Sequence, residues 1–234
     1  MIPAIRKLRD TYPLSAWYAQ CINHALKNST FSGNSTFTWM DVGAGNGELA
    51  LQLTKKYPFA KGLAIDFHNE PEVLKQQGKV DWESKDLNAG NVYPDADFIF
   101  LITVLEHVMF PDKIIDALLN SLNHEGRLYI TVPDFGSMAN RLLKKKWPYF
   151  LPGEHLCIPT IKGMQLLLSR KCNEKSEQGF FEINVGKTII PYPVGYYMEY
   201  FAGIKLPGTL ANIPLSIPTG LLEASVTLKK IKKH

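Results

Sequence analysis

Cysteine is scarce in this chain of 234 residues: Cys21, Cys157 and Cys172 are scattered, odd in number and without paired metal spacing. That excludes a disulfide-stapled scaffold and a cysteine zinc module, and leaves reduced thiols. Long apolar runs are missing too, and none reaches the length that spans a bilayer. The opening Met-Ile-Pro-Ala-Ile-Arg-Lys-Leu-Arg-Asp is interrupted by charge rather than shaped as an export signal. A cytoplasmic location without stable membrane insertion is therefore expected, and the sequons at Asn28 and Asn34 read as chance matches in a polar linker. The third absence is a large excess of one charge. The net charge is only +4, and Lys229, Lys230, Lys232 and Lys233 carry much of it. The rest of the chain is near neutral, which argues against a nucleic-acid surface.

What is present is ordinary globular composition, 45% apolar and 21% charged, in a length that suits one large domain. Residues 5–28 read as a helix, with Leu8, Tyr12, Trp17, Ile22 and Leu26 on a broken apolar face. A polar linker follows. Strand-like runs then appear at 38–43, 62–67, 80–84, 97–103 and 127–132, separated by helix-like segments at 47–57, 70–77 and 111–122. Pro111-Asp112 opens the last of these. Short apolar strands alternating with amphipathic helices predict an α/β fold of the Rossmann-like, doubly wound kind, with a mostly parallel sheet covered on both faces. Residues 134–175 read as mainly helical around Trp147-Pro-Tyr-Phe-Leu-Pro-Gly. Two late strands, Phe180–Gly186 and Ala224–Lys229, flank an apolar, aromatic segment rich in Pro, Gly and Tyr. Packing in the core or between subunits of a homodimer is the reading preferred for that segment, over a pocket wall or a lipid contact.

Asp41-Val-Gly-Ala-Gly-Asn-Gly-Glu-Leu-Ala is the most informative stretch. It leaves an apolar strand and opens a helix, where a glycine-rich turn lets a ligand approach the backbone. A dinucleotide fingerprint would place glycine at the sixth position, as G-x-G-x-x-G. Here Gly43, Gly45 and Gly47 alternate, and the sixth position is Glu48. A carboxylate beside a pyrophosphate is repulsive, whereas S-adenosylmethionine has no phosphate and carries a cationic sulfonium. Asp66 ends the next strand about twenty residues on, where an open α/β sheet sets a carboxylate against ribose hydroxyls. Asp86-Leu87 ends the third strand. A tight turn or a helix cap accounts for each residue singly; the ordered set argues for a site.

With these residues in place, positions 38 to about 133, and less firmly to 170, resemble a class I S-adenosylmethionine-dependent methyltransferase. The nearest branch includes the ubiquinone-type O-methyltransferases and many sugar and natural-product methyltransferases. Ile65-Asp66, Asp86-Leu87, Leu105-Glu106-His107-Val108, Leu128-Tyr-Ile-Thr-Val-Pro133 and the later Gly153-Glu154-His155-Leu156 carry the match beside the glycine motif. The resemblance implies a seven-stranded sheet in one methyltransferase domain. Residues 1–36 would form an N-terminal helical cap and linker, 37–133 the donor-binding core, and 134–234 the acceptor-side helices and last two strands. It also implies roles. Gly43, Ala44, Gly45 and Asn46 would cradle the methionine part of the donor, and Asp41 would hold that loop and the ammonium end. Asp66 would take the ribose hydroxyls, with Phe67 flanking adenine. Asp86 would accept from the adenine amino group near Leu87, and Ile102 and Thr103 would lie beside the sulfonium.

Methyl transfer aligns nucleophile, methyl and sulfur, and a hydroxyl acceptor gains from a base such as His. His155, on a turn-rich loop, and His107, after the fourth strand, are the candidates, with Glu106 beside the latter. No metal is expected. The ubiquinone-type relatives pair a Glu-His with a Glu three residues earlier, and Thr103 in that place is a poor ligand for a hard cation. The partner expected is a small molecule or small-molecule conjugate, apolar, lipid-like or sugar-like, with S-adenosylhomocysteine as by-product. The competing readings are a non-catalytic donor-binding module and, further off, an NAD-dependent oxidoreductase. Nucleic-acid methylation is disfavoured by the near-neutral body and by Leu101-Ile-Thr-Val-Leu-Glu-His, which lacks an Asn/Asp-Pro-Pro-aromatic motif.

Overall fold

The computed structural model describes Tyr12, residues 14–29 and residues 31–229. Residues 5–11 of the expected first helix, and Lys230, Lys232 and Lys233, lie outside the described residues. Within them, helix α1 is Ser15–Ala25, and Trp17, Cys21, Ile22 and Ala25 form its buried stripe.

The chain then alternates as expected: β1 (Thr38–Val42), α2 (Glu48–Lys56), β2 (Lys61–Asp66), α3 (Glu72–Gln77), β3 (Val80–Ser84), β4 (Ala96–Ile102), α4 (Pro111–Asn120) and β5 (Leu122–Pro133). Pro111 sits in the first turn of α4, where its missing N–H costs nothing. Two more strands, β6 (Phe180–Pro193) and β7 (Pro214–Lys229), complete a seven-stranded sheet of order β3-β2-β1-β4-β5-β7-β6. The first five strands pair in parallel, and β7 runs antiparallel to both neighbours.

Side chains alternate across the sheet and feed two cores. Trp39, Phe98, Phe100 and Tyr129 face one side with Trp17, Leu49 and Leu53 of α1 and α2. Met40, Val42, Ile99, Leu101 and Ile130 face the other with Ile115 and Leu118 of α4 and Leu168 of a later helix. Burial on both faces explains why the inner strands read as nearly continuous apolar runs. Strand order reverses direction between β1 and β4, the switch point where open α/β sheets bind ligands at the carboxyl ends of their strands.

The second half departs from the expected helical stretch. Residues 134–175 hold only α5 (Met138–Leu143), a single 3-10 turn at Lys144–Lys146, and α6 (Ile161–Glu174). Between the turn and α6 runs a loop that Pro148, Pro152, Pro159 and the left-handed Gly153 (φ 91°) keep from being helical. Trp147 pins that loop: it is fully buried, and its indole N–H donates to the Thr219 carbonyl at 2.8 Å. Strands β6 and β7 outrun the expected ends and form one long hairpin, which carries α7 (Val194–Ala202) and α8 (Gly208–Ala211) between its strands. Tyr192, Tyr196 and Tyr197 of the aromatic segment are buried in the core, while Phe201, Ile204, Leu210 and Ile213 are exposed. Among the described residues no helix is long and apolar enough to cross a membrane.

Candidate active site

The turn after β1 is built to bring backbone close to other backbone. The amides of Gly43 and Ala44 both donate to the Ile65 carbonyl, at 2.7 and 3.0 Å, locking the turn to the end of β2. Gly43 has φ 81°, and a Cβ there would lie 2.3 Å from Val104 Cγ2, so the segment leaving β4 packs directly on the glycine. Gly45 has φ 55° with no atom within 4 Å of where a Cβ would be, so its open side is available to a ligand. Its N–H donates to Asp66 Oδ2 at 2.8 Å. Asn46 is exposed, and its Oδ1 accepts the Glu48 amide at 3.2 Å in an Asx-type turn at the entry to α2.

The three aspartates at these strand ends stand in different states. Asp41 is buried, and its Oδ2 has no hydrogen-bond partner within the protein. Burial first, and the charge of Asp66 second, push its carboxyl up to about 8. Asp66 is also buried, with Oδ1 accepting the His68 amide at 3.0 Å and meeting His68 Nδ1 at 2.7 Å. Phe67 is 70% exposed, its ring tilted against His68. Asp86 is exposed and caps its own turn, accepting the Asn88 amide at 2.9 Å. Asn88 Oδ1 in turn accepts the Met109 amide at 2.8 Å, tying this turn to the approach to α4. Leu87 is half-buried against the core on the α4 side.

At the end of β4, Ile102 is buried and Thr103 adopts φ 51°, a left-handed backbone that a β-branched residue rarely takes. Such strain persists where surroundings hold it; here the Thr103 amide donates to the Thr131 carbonyl at 2.8 Å. The bend sends the chain into a 3-10 turn at Leu105–His107, which lies over the glycine turn through Val104.

Onto that turn folds the loop bearing His155. The Glu106 carbonyl accepts the amides of Leu156 (2.6 Å) and Cys157 (3.2 Å). His107 Nδ1 meets the Glu154 carbonyl at 3.0 Å, and His155 Nδ1 meets the Tyr149 carbonyl at 2.8 Å. A carbonyl only accepts, so each ring carries its proton on Nδ1 and presents Nε2 as the basic nitrogen. The two rings meet edge to face with centroids 4.6 Å apart. One side-chain donor atom from each of Glu106, His107 and His155 lies within 4.8 Å of the others. Glu106 and His155 are buried.

The structure thus brings the glycine turn, Asp41, Asp66, Phe67, Ile102 and Thr103 to one edge of the sheet, and sets the Glu106–His107–His155 cluster beside them. Asp86 and Leu87 stand on the flank, with Asp86 turned onto its own backbone. Thr103 offers no ligand for a hard cation, and His155 arrives from the loop to bring a third donor atom beside Glu106 and His107. Sequence reasoning missed His68, Val104 and Asn88. His68 and Asn88, two residues after Asp66 and Asp86, had a local signal, the Asx-type spacing in which an aspartate binds the amide two residues on; Val104 had none.

A seven-stranded sheet of this order with a reversed last hairpin, and a glycine turn at its switch point, defines a Rossmann-like class I methyltransferase fold. The sequence family described as "Methyltransferase domain" matches residues 15–171, more than half of the chain, and the chain belongs to that family. No curated protein is significantly similar to it. Solved structures are similar in fold. The plantazolicin methyltransferase BamL, in complex with a triazolic desmethylPZN analog and SAH, superposes with a TM-score of 0.66 at 16% identity over 95% of this chain and 87% of that one. The plantazolicin methyltransferase BpumL in complex with SAH gives 0.63 at 18% identity over 96% and 90%. The Burkholderia thailandensis 1,6-didemethyltoxoflavin-N1-methyltransferase, with bound 1,6-didemethyltoxoflavin and S-adenosylhomocysteine, gives 0.59 at 13% over 98% and 85%.

Proposed function

We propose that this protein transfers the methyl group of S-adenosylmethionine to a hydroxyl oxygen of a small molecule or small-molecule conjugate. Use of that donor is supported by the buried Asp41 Oδ2 beside an open glycine turn, a position suited to an ammonium group. It is supported too by the fold neighbours bound to SAH. Gly43, Ala44, Gly45 and Asn46 would hold the methionine part, Asp66 the ribose, and Phe67 and Asp86 the adenine, with Ile102 and Thr103 beside the sulfonium.

The observation that carries the choice of a hydroxyl is the convergence of Glu106, His107 and His155 within 4.8 Å. A neutral hydroxyl is a weak nucleophile, and a base at this edge increases the rate as its proton leaves. In the transfer, a lone pair on the acceptor oxygen forms the bond to the methyl carbon. The carbon–sulfur bond breaks toward sulfur, giving S-adenosylhomocysteine. The hydroxyl proton passes to His155 Nε2, the Glu106 carboxylate offsets the imidazolium charge, and His107 orients the acceptor.

The test is incubation with methyl-labelled donor and parallel panels of phenols, aliphatic alcohols and amines, with the product's methylated atom assigned by mass spectrometry and NMR. Oxygen methylation with S-adenosylhomocysteine release is expected. Methylation confined to amines overturns the choice of acceptor atom, and donor binding without turnover on any panel or on cell extract favours a non-catalytic binding module.

A further inference from the structure

We infer that Glu106, His107 and His155 form a site for a nitrogen-preferring divalent metal ion, of the zinc or cobalt class rather than magnesium. The donor set is two imidazoles and one carboxylate, which suits first-row transition metals; magnesium and calcium take oxygen-rich shells. Three protein ligands with an open fourth position is the arrangement of catalytic zinc sites.

The second observation is the orientation of the rings. Metal-ligating histidines characteristically donate the other ring N–H to a carbonyl or carboxylate, which fixes the tautomer. Both histidines do so here, His107 to the Glu154 carbonyl at 3.0 Å and His155 to the Tyr149 carbonyl at 2.8 Å. In the neutral form of each ring, Nε2 is then the nitrogen that carries the lone pair. Tetrahedral zinc with bonds of about 2.0–2.1 Å sets its ligand atoms roughly 3.3 Å apart. One donor atom from each of the three residues lies within 4.8 Å of the others, so closing the widest separation by about 1.5 Å brings the set to bonding distance. The carbonyl of Glu106 and the amides of Leu156 and Cys157 already hold the two contributing segments together. Thr103 is not among the donors, and the site differs in composition from an oxygen-rich Glu-Glu-His set.

The role of the ion, though not its binding, rests on reading this edge as the acceptor side. A cation held there would lower the pKa of a bound hydroxyl, whose proton would pass to solvent; in that loaded form His155 would be a ligand, and the proton transfer to its Nε2 described above would belong to the metal-free protein.

The test uses tag-free protein, stripped with chelator and titrated with zinc chloride or cobalt chloride alone. Calorimetry, metal analysis after gel filtration, and the visible absorption of bound cobalt report binding without any methyl acceptor. One equivalent is expected, with a rise in the melting temperature. In H155Q and in H107Q the affinity should fall by more than the roughly tenfold to hundredfold that loss of a partner outside the ligand set costs. His107 is itself more exposed than the buried His155, so H107Q remains informative if H155Q fails to fold. Binding below a tenth of an equivalent, or equal affinity in the folded variants, overturns the site. Either result leaves the proposed methyl transfer standing, since that is read separately from the labelled product.

Discussion

The carbonyl of Glu106 accepts the amide of Leu156 at 2.6 Å, joining two segments that are far apart in sequence. One segment leaves the fourth strand beside the glycine turn; the other belongs to a proline-broken loop pinned by Trp147. Because the bond is between backbones, it sets the position of His155 next to His107 regardless of what side chains stand at 156 and 157. It also explains how a loop residue comes to be buried: His155 is only 9% exposed.

If His155 takes the proton, H155Q keeps the size of the side chain and loses the base. Turnover should fall about a hundredfold to ten-thousandfold, the usual worth of a positioned general base. Donor affinity, measured by calorimetry with S-adenosylhomocysteine, should be unchanged. H107Q should weaken donor binding as well as turnover, because His107 lies on the turn that packs against Gly43 through Val104. Near-normal turnover of H155Q across neutral pH would make the loop histidine structural.

Asp66 has two attachments, the Gly45 amide on one oxygen and His68 on the other. D66A therefore removes a contact to the donor and loosens the turn that cradles it. Donor binding should weaken by about 1.5–3 kcal/mol, the worth of a hydrogen bond to a charged group. The same experiment with NAD should show no binding before or after the substitution. A thermal shift with NAD and none with the methyl donor would reverse the cofactor reading.

The order of strands and helices up to residue 133 was legible because periodicity and turn residues are local properties, and the glycine motif announced its own turn. The places of Asp41, Asp66 and the glycines at strand ends were legible from spacing, while the roles given to them came from the family resemblance. The bend at Thr103 could not be read that way: its left-handed backbone goes with a hydrogen bond to the Thr131 carbonyl, on a strand distant in sequence. The meeting of His107 with His155 was equally hidden. Each histidine had a local signal, a strand end and a turn-rich loop, but their contact depends on pairing between backbones distant in sequence. The long hairpin of β6 and β7 was cut short because prolines at 191, 193, 214 and 218 read as breakers. Those residues occur in a two-stranded extension with one free edge each, where a missing N–H is tolerated.

Gly43 offers a test of the packing between the glycine turn and the exit of β4. G43A meets two obstacles, a left-handed φ of 81° and Val104 Cγ2 at 2.3 Å from the new methyl. Donor binding and stability should both fall. Adding V104A removes the two closest contacts and leaves the position-104 Cβ at 3.2 Å together with the backbone cost, about 1–2 kcal/mol. A double-mutant cycle read by thermal unfolding should therefore show coupling between the two positions, as expected of residues in contact. Strict additivity would mean that the Val104 side chain does not touch the turn.

Asp41 should make donor binding depend on pH in a defined direction. Its carboxyl, ordinarily near 3.8, stands at about 8 in the folded protein because burial, and secondarily the Asp66 charge, disfavour ionisation. The folded protein therefore holds this proton more tightly than the unfolded chain does. This one group's contribution to stability is complete below the unfolded value, and it is lost as pH rises toward about 8. Donor binding runs the opposite way. Pairing with the donor's ammonium requires the carboxylate, so binding releases a proton below the folded pKa. Affinity for S-adenosylhomocysteine should rise by up to about tenfold per pH unit from about pH 6, then level off near 8. D41N, which is neutral throughout, should bind more weakly and lose this part of the slope. D66N should move the levelling point downward, because it removes the second of the two causes. Calorimetry in buffers of different ionisation enthalpy counts the released proton directly. An unaltered slope in D41N would place the titrating group elsewhere and take Asp41 out of the ammonium site.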